Sequence, residues 1–269
     1  MLIEMFSYSF IIKALIVGIL IALCCSLLGV TLVLKRCSMI GDGLSHVGFG
    51  ALAVASVFNS APLAVALPIV IAAAFFLLNL SKSERLNGDS AIALVSTSSL
   101  ALGVIAISAF GKGNSELSAY LFGSILAVSD FDLYLSVILC VCVMLIFVFL
   151  YTRIFAVTFD ETFAFATGTN VSLYNSLIAV LTAVTVVLGM KMVGTLLISA
   201  LIIFPALTSM RIYKTFMGVT VSSAVISVIC FLGGFIISYI FELPTGAAIV
   251  VFNLICFILF LIAEKIIKK

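Results

Sequence analysis

What most limits this chain is the recurrence, from end to end, of apolar runs of about 18 to 25 residues. An α-helix rises about 1.5 Å per residue, so a run of that length spans the roughly 30 Å hydrocarbon core of a bilayer. The runs fall at 10–34, 39–57, 61–80, 90–110, 132–152, 171–190, 193–209, 216–240 and 245–264. A further piece, 117–128, is too short to span and is expected to dip into the membrane and return. The residues are 65% hydrophobic and only 9% charged, whereas a globular domain is about a quarter charged. No polar interval is long enough to hold a soluble domain. The fold expected is therefore an all-α polytopic membrane protein, a single domain over 1–269, with the lipid bilayer as its surroundings. The first run reaches Leu34, too long for a cleaved signal peptide and without its cleavage pattern. A net charge of +2 gives no reason to expect nucleic acid as a partner. The seven cysteines lie mostly inside apolar runs and form no CxxC pair, so they read as small core residues.

Orientation follows from the basic residues, which favour the cytoplasmic side. With the C-terminus placed in the cytoplasm, ten of the thirteen Lys and Arg lie inside, among them Lys35, Arg36, Arg153, Arg211 and Lys214. Only Lys13, Lys112 and Lys191 fall at or near the outer face. This predicts nine transmembrane helices with the N-terminus outside, or eight if 193–209, short and ending near Pro205, is a half-helix. The turn Lys35-Arg36-Cys37-Ser38 is so brief that the second helix is expected to begin within or close to the membrane. Glu242-Leu-Pro-Thr-Gly246 reads as an outer turn in which Thr245 caps the last helix.

The polar exception among the apolar runs is Ile40-Gly-Asp-Gly-Leu-Ser-His-Val-Gly-Phe-Gly50. It holds Asp42 and the single histidine, His46, four residues apart and so on one face of a helix. Ionisable groups inside a membrane segment are costly and mark function by default. Imidazole with carboxylate is a ligand pair for a divalent first-row metal ion. The competing reading is a buried hydrogen-bonded pair that fixes helix packing. Glu116, at the foot of the 117–128 helix, is a third candidate ligand, or else a solvated acid at a helix N-terminus. Three such ligands suit Zn²⁺ or Mn²⁺. Asp89 reads as a helix cap, and Ser45, Ser199 and Ser209 as hydrogen-bond partners between helices.

Phe159-Asp-Glu-Thr-Phe-Ala-Phe-Ala-Thr-Gly168 opens with acids and closes with glycine, as a short capped helix does. Its phenylalanines place it either flat on the bilayer or, as a knob, against a partner on the cytoplasmic face. No GxxxxGK[ST] phosphate loop occurs, so the chain does not use ATP by itself. One histidine assembles no membrane protease or acyltransferase. Transport is favoured over an enzyme by elimination and by the broken helices.

Five segments in order carry a family resemblance. They are Lys35-Arg36 with Gly41 to His46, Ala119 to Leu126, Asp160 to Gly168, Lys191 to Leu197 running to Pro205-Ala206, and Leu243 to Gly246. The chain resembles the permease subunits of the zinc/manganese ABC importers over essentially its whole length. The likeness is greatest to the zinc-type branch, particularly in Ser115 to Val128 and Met190 to Pro205. Gly43 and Glu161 depart from the usual family wording without disturbing either motif. The resemblance implies that Asp42, His46 and Glu116 make the transmembrane metal site. It implies that Asp160, Glu161, Phe163, Ala164 and Gly168 belong to a coupling helix held in a groove of the ATPase subunit. It further implies a cytoplasmic ATP-binding subunit, an extracytoplasmic metal-binding protein and a second permease copy as partners, in a bacterial cell (inner) membrane. The metal, Zn²⁺ or Mn²⁺, is cargo, and no intrinsic cofactor is expected. An ion-coupled secondary metal transporter would use the same Asp/His pair without an ATPase. A purely structural membrane subunit would use the pair for packing alone.

Overall fold

A computed structural model describes residues 9–58, 62–81, 88–110, 121 and 130–267. Among the described residues all regular structure is helical. The helices are α1 (Ser9–Leu34), α2 (Met39–Val57), α3 (Pro62–Ser81), α4 (Gly88–Ala109), α5 (Asp130–Phe149) and α6 (Tyr151–Phe159). They continue as α7 (Glu161–Ala166), α8 (Val171–Val193), α9 (Thr195–Ser209), α10 (Phe216–Phe241) and α11 (Thr245–Ile267). Among the described residues each of the nine long apolar runs is thus helical, with 132–152 divided between α5 and α6. Glu116 and, apart from Leu121, the 117–128 segment lie outside the described residues.

Not every helix is a full span. Among the described residues, six are long and apolar enough to cross a membrane, or seven if a bent pair counts as one. The expectation of eight or nine crossings is met only to that extent. The apolar stretch Pro62–Leu78 falls short, and so does α9. With 15 residues, α9 is roughly 22 Å long, the length of a half-helix rather than of a bilayer core. Gly194, with φ 92°, makes the break that starts α9, a backbone setting open to glycine and strained for other residues. The run expected to continue through 152 bends by 70° between α5 and α6. Aromatic packing holds that bend: the Tyr151 ring lies 6.5 Å from Phe147 and 5.3 Å from Phe216.

The long helix α1 packs against α5, α8, α9 and α10, and its Ile21, Ala22, Cys24 and Cys25 are wholly buried. A polar seam joins it to α10, where Ser227 Oγ donates to the Ala22 carbonyl at 2.9 Å. The described cysteines are free, and four of the seven are buried, as core residues should be. The second hub is α2, surrounded by α3, α4, α8 and α9. Thirteen of its nineteen residues are buried although it is the least apolar of the six spans. Small residues explain this, because without a hydrophobic drive in lipid, helices associate where backbones can approach. A β-carbon on Gly103 of α4 would stand 3.0 Å from the Gly50 Cα of α2.

Arg36, Arg153, Arg211, Lys214 and Lys265 gather with Lys35 at the end of the bundle where α1 finishes. There Val33, Met210 and Phe216 pack against Val30, Ala206 and Val219, and Arg211 Nη1 lies 3.7 Å from Glu264 Oε2. Lys13 and Lys191 belong to the opposite end, near the start of α1 and the finish of α8. In the α10–α11 turn Glu242 takes the left-handed conformation at φ 53°. Thr245 is the first residue of α11, and its hydroxyl oxygen accepts from Ser238 Oγ at 3.1 Å.

Among the described glycines, the tightest approach to another helix's backbone is that of α1 to α9. A β-carbon on Gly29 would stand 2.0 Å from the Ile202 carbonyl oxygen, and backbone cannot swing aside. On Gly41 it would meet only Ile202 Cδ1, at 2.8 Å, the movable end of a side chain. Gly29→Ala is expected to destabilise by about 1–3 kcal/mol through overpacking, and Gly41→Ala by less. Thermal unfolding of the detergent-purified protein measures both, and equal shifts would contradict this packing.

Candidate functional site

Four residues connect α1 to α2. Cys37 N donates to the Leu32 carbonyl at 2.8 Å, and Arg36 turns the chain at φ 57°. Ser38 precedes α2 without a side-chain cap, so the first amides of α2 are not closed by that residue. Asp42 lies in this first turn, where the positive end of the helix favours a carboxylate.

The helical spacing brings the sequence-predicted pair together. His46 Nε2 is 3.7 Å from Asp42 Oδ2, with the side chains 23% and 34% exposed. That distance is too long for a hydrogen bond, so the pair is not joined in the way a packing device would be. It suits two ligands of one ion, since metal–ligand distances near 2.1 Å would give a ligand–metal–ligand angle of roughly 120°. His46 Nδ1 is buried with no hydrogen-bond partner among the described residues. The imidazole is therefore placed by packing, and its partial exposure leaves it reachable.

A second helix completes the arrangement. Ser199 Oγ of α9 donates to Asp42 Oδ1 at 2.8 Å, and Ser45 Oγ donates to the Asp42 carbonyl at 2.7 Å. The sequence placed Ser199 among helix–helix partners. The structure makes it the partner of the acid itself, 157 residues away. The only signal for it was its position inside the Lys191 to Pro205 segment, between the Gly194 break and the proline. Glu116, the third predicted ligand, lies outside the described residues. Among the described residues no third His, Cys, Asp or Glu joins the pair.

Close to the end where α1 finishes stands α7, a six-residue helix. Asp160 caps it: Oδ1 accepts from Thr162 Oγ1 at 2.5 Å, Thr162 N at 2.9 Å and Phe163 N at 3.0 Å. The Thr162 hydroxyl and then the Phe163 amide hold this carboxyl below the usual carboxylate range. Gly168, at φ 80°, ends the turn, and Thr169 N returns to the Ala164 carbonyl at 2.9 Å. Ala164 is fully buried, whereas Phe159, Phe163 and Phe165 are 73%, 63% and 75% exposed. Arg153 Nη1 donates to Thr169 Oγ1 at 3.0 Å and ties the return to α6.

Comparison with known proteins adds the following. The ABC 3 transport family matches over residues 7–264. The manganese transport system membrane protein MntC of Listeria monocytogenes is 31% identical over 96% of this chain and 92% of its own length. The high-affinity zinc uptake system membrane protein ZnuB of Haemophilus influenzae is 26% identical over 96% of this chain and 99% of its own. A chain in the solved structure of PsaBC from Streptococcus pneumoniae in complex with Fab superposes with a TM-score of 0.86. It is 28% identical and covers 97% of this chain and 95% of that one. Relatives named for manganese and for zinc both match over nearly the whole chain, the manganese names being the more numerous.

The depressed Asp160 pKa has a signed consequence. Its contribution to α7 is present above the carboxylate's unfolded range and is lost as pH falls through the lower folded value. The protection factors of the Thr162 and Phe163 amides, each exchange rate taken relative to the intrinsic rate at the same pH, are expected to fall on acidification, and those of Asp160→Ala to be low at every pH. A pH-independent difference between the two proteins would contradict the cap.

Proposed function

The chain belongs to the ABC 3 transport family, and on that premise we propose that it is the membrane permease of an ATP-driven importer of a divalent transition metal. The observation that carries the reading is the site itself. An imidazole and a carboxylate stand 3.7 Å apart on a membrane helix, partly exposed, with a hydroxyl from a second helix on the carboxylate. Conduction needs binding strong enough to enter and weak enough to leave. An incomplete ligand set that keeps water on the ion meets this better than a closed one. Glu116 is the further acid proposed for the path.

The cargo is Zn²⁺ or Mn²⁺. Oxygen donors from Asp42 suit Mn²⁺, and the imidazole of His46 suits Zn²⁺. Among the relatives the manganese names are the more numerous, with zinc also present. The basic end of the bundle is the cytoplasmic one, which places the C-terminus inside and α7 at the cytoplasmic face. Asp160, Glu161, Phe163, Ala164 and Gly168 then form the coupling helix, whose exposed phenylalanines dock on an ATP-binding subunit. That subunit hydrolyses the ATP, while the permease catalyses no reaction. A metal-binding protein delivers the ion at the outer face, and a second copy of the permease completes the pore.

The test is uptake of each ion into vesicles that hold the permease with its ATP-binding subunit. Asp42→Ala and His46→Ala are expected to abolish ATP-driven uptake of the cargo with assembly intact. Ser199→Ala, which removes only the support of a ligand, is expected to weaken apparent affinity roughly tenfold. Full uptake by Asp42→Ala would make the pair structural. Uptake without ATP would point to ion coupling instead.

A further inference from the structure

The turn between α1 and α2 reaches the short helix through its first residue. Lys35 Nζ donates to Glu161 Oε1 at 2.6 Å and to Asn175 Oδ1 at 2.6 Å. Asn175 Nδ2 donates to the same Glu161 oxygen at 3.0 Å. Three residues far apart in sequence thus close a triangle where α1, α7 and α8 meet. Asn175 is buried and the Lys35 side chain is 13% exposed, while that of Glu161 is 48% exposed. A partly exposed pair of this kind contributes little to stability. Its position matters more.

Two observations give that position consequence. Apart from this triangle, α7 packs chiefly on its chain neighbours α6 and α8, and among the described residues Lys35 ties it to the α1–α2 corner. Beyond the corner the chain passes directly into α2 and reaches Asp42 seven residues after Lys35. The corner is only four residues long and is closed by the Cys37-to-Leu32 bond, which leaves little slack between α1 and α2. The second observation is space. A cleft of about 990 Å³, open on one side and lined among others by Lys35, Cys37, Ile40, Asp89, Glu161 and Asn175, lies beside the first turn of α2. On that side, among the described residues, no helix packs against the first turn to hold it still.

We propose that Lys35 is a positioning residue. Its bridge to Glu161 and Asn175 passes the displacement of α7 to the helix that carries Asp42 and His46, a route shorter than the one along α8. This rests on the reading of the chain as an importer permease with α7 against the ATP-binding subunit. Lys35 itself touches no cargo. Asn175 makes the link symmetric in charge, because its amide offers an acceptor to the lysine and a donor to the glutamate. If the two charges were exchanged, a flip of that amide would restore all three bonds.

The experiment uses the complete importer in proteoliposomes, measuring Mn²⁺ or Zn²⁺ uptake and ATP hydrolysis on the same sample. Lys35→Met is expected to assemble and hydrolyse ATP but to import roughly two- to thirtyfold fewer ions per ATP. The double exchange Lys35→Glu with Glu161→Lys is expected to recover the ratio, which a purely structural role would not predict. If Lys35→Met does not assemble, Glu161→Gln alters the exposed partner instead and is expected to lower the ratio in the same way. An unchanged ratio in the single variants, or a double exchange no better than either, removes the link while leaving the permease reading intact. A wild-type complex that imports neither ion with ATP overturns the permease reading and the link with it.

Discussion

A carboxylate held inside a bundle of membrane helices must be compensated where it stands, since an unpaired charge in hydrocarbon costs several kcal/mol. Asp42 has three sources of compensation. It lies in the first turn of α2, it accepts the Ser199 hydroxyl, and it faces the His46 imidazole. Each requires something of the surrounding fold. The helix must start just before the acid, α9 must come alongside it, and the face that carries the pair must stay partly open. The short α1–α2 corner and the half-length α9 meet the first two of these conditions.

Small residues bring the backbones to those positions. Gly29 admits the carbonyl of Ile202, which draws α9 against α1, and Ile202 also fills the space at Gly41 of α2. One residue of α9 therefore gauges its distance from both helices, three positions from Ser199. On the other side, Gly50 and Gly103 let α4 and α2 touch. The helix of Asp42 and His46 is thus clamped along most of its length, while its first turn borders a cleft.

The short helix α7 follows the opposite design. Its cap and its glycine stop are local, its burial amounts to Ala164, and its phenylalanines face outward. Such an element is stable in shape but weakly attached, which is what the proposed docking on an ATP-binding subunit requires. Its tie to the rest of the chain runs through polar groups that are directional and can be exchanged, rather than through a broad apolar contact.

The positions of the helices, their apolar character and the Asp42/His46 pair were all legible in the sequence. Run length, hydropathy and an i, i+4 spacing are local properties, and a helix obeys them wherever it packs. The cap at Asp160 and the stop at Gly168 were legible for the same reason. Three things belonged to the tertiary structure. Whether α9 is a full or a half span depends on the backbone at Gly194 and on what packs beside it. That Ser199 serves Asp42 depends on two helices far apart in sequence meeting at one height, which no local pattern encodes. That Lys35 binds Glu161 and Asn175 depends on three segments converging at one end of the bundle, where a basic residue in sequence signals only which side of the membrane it occupies. Local chemistry writes helices and ligands, and only packing decides which side chain a ligand meets.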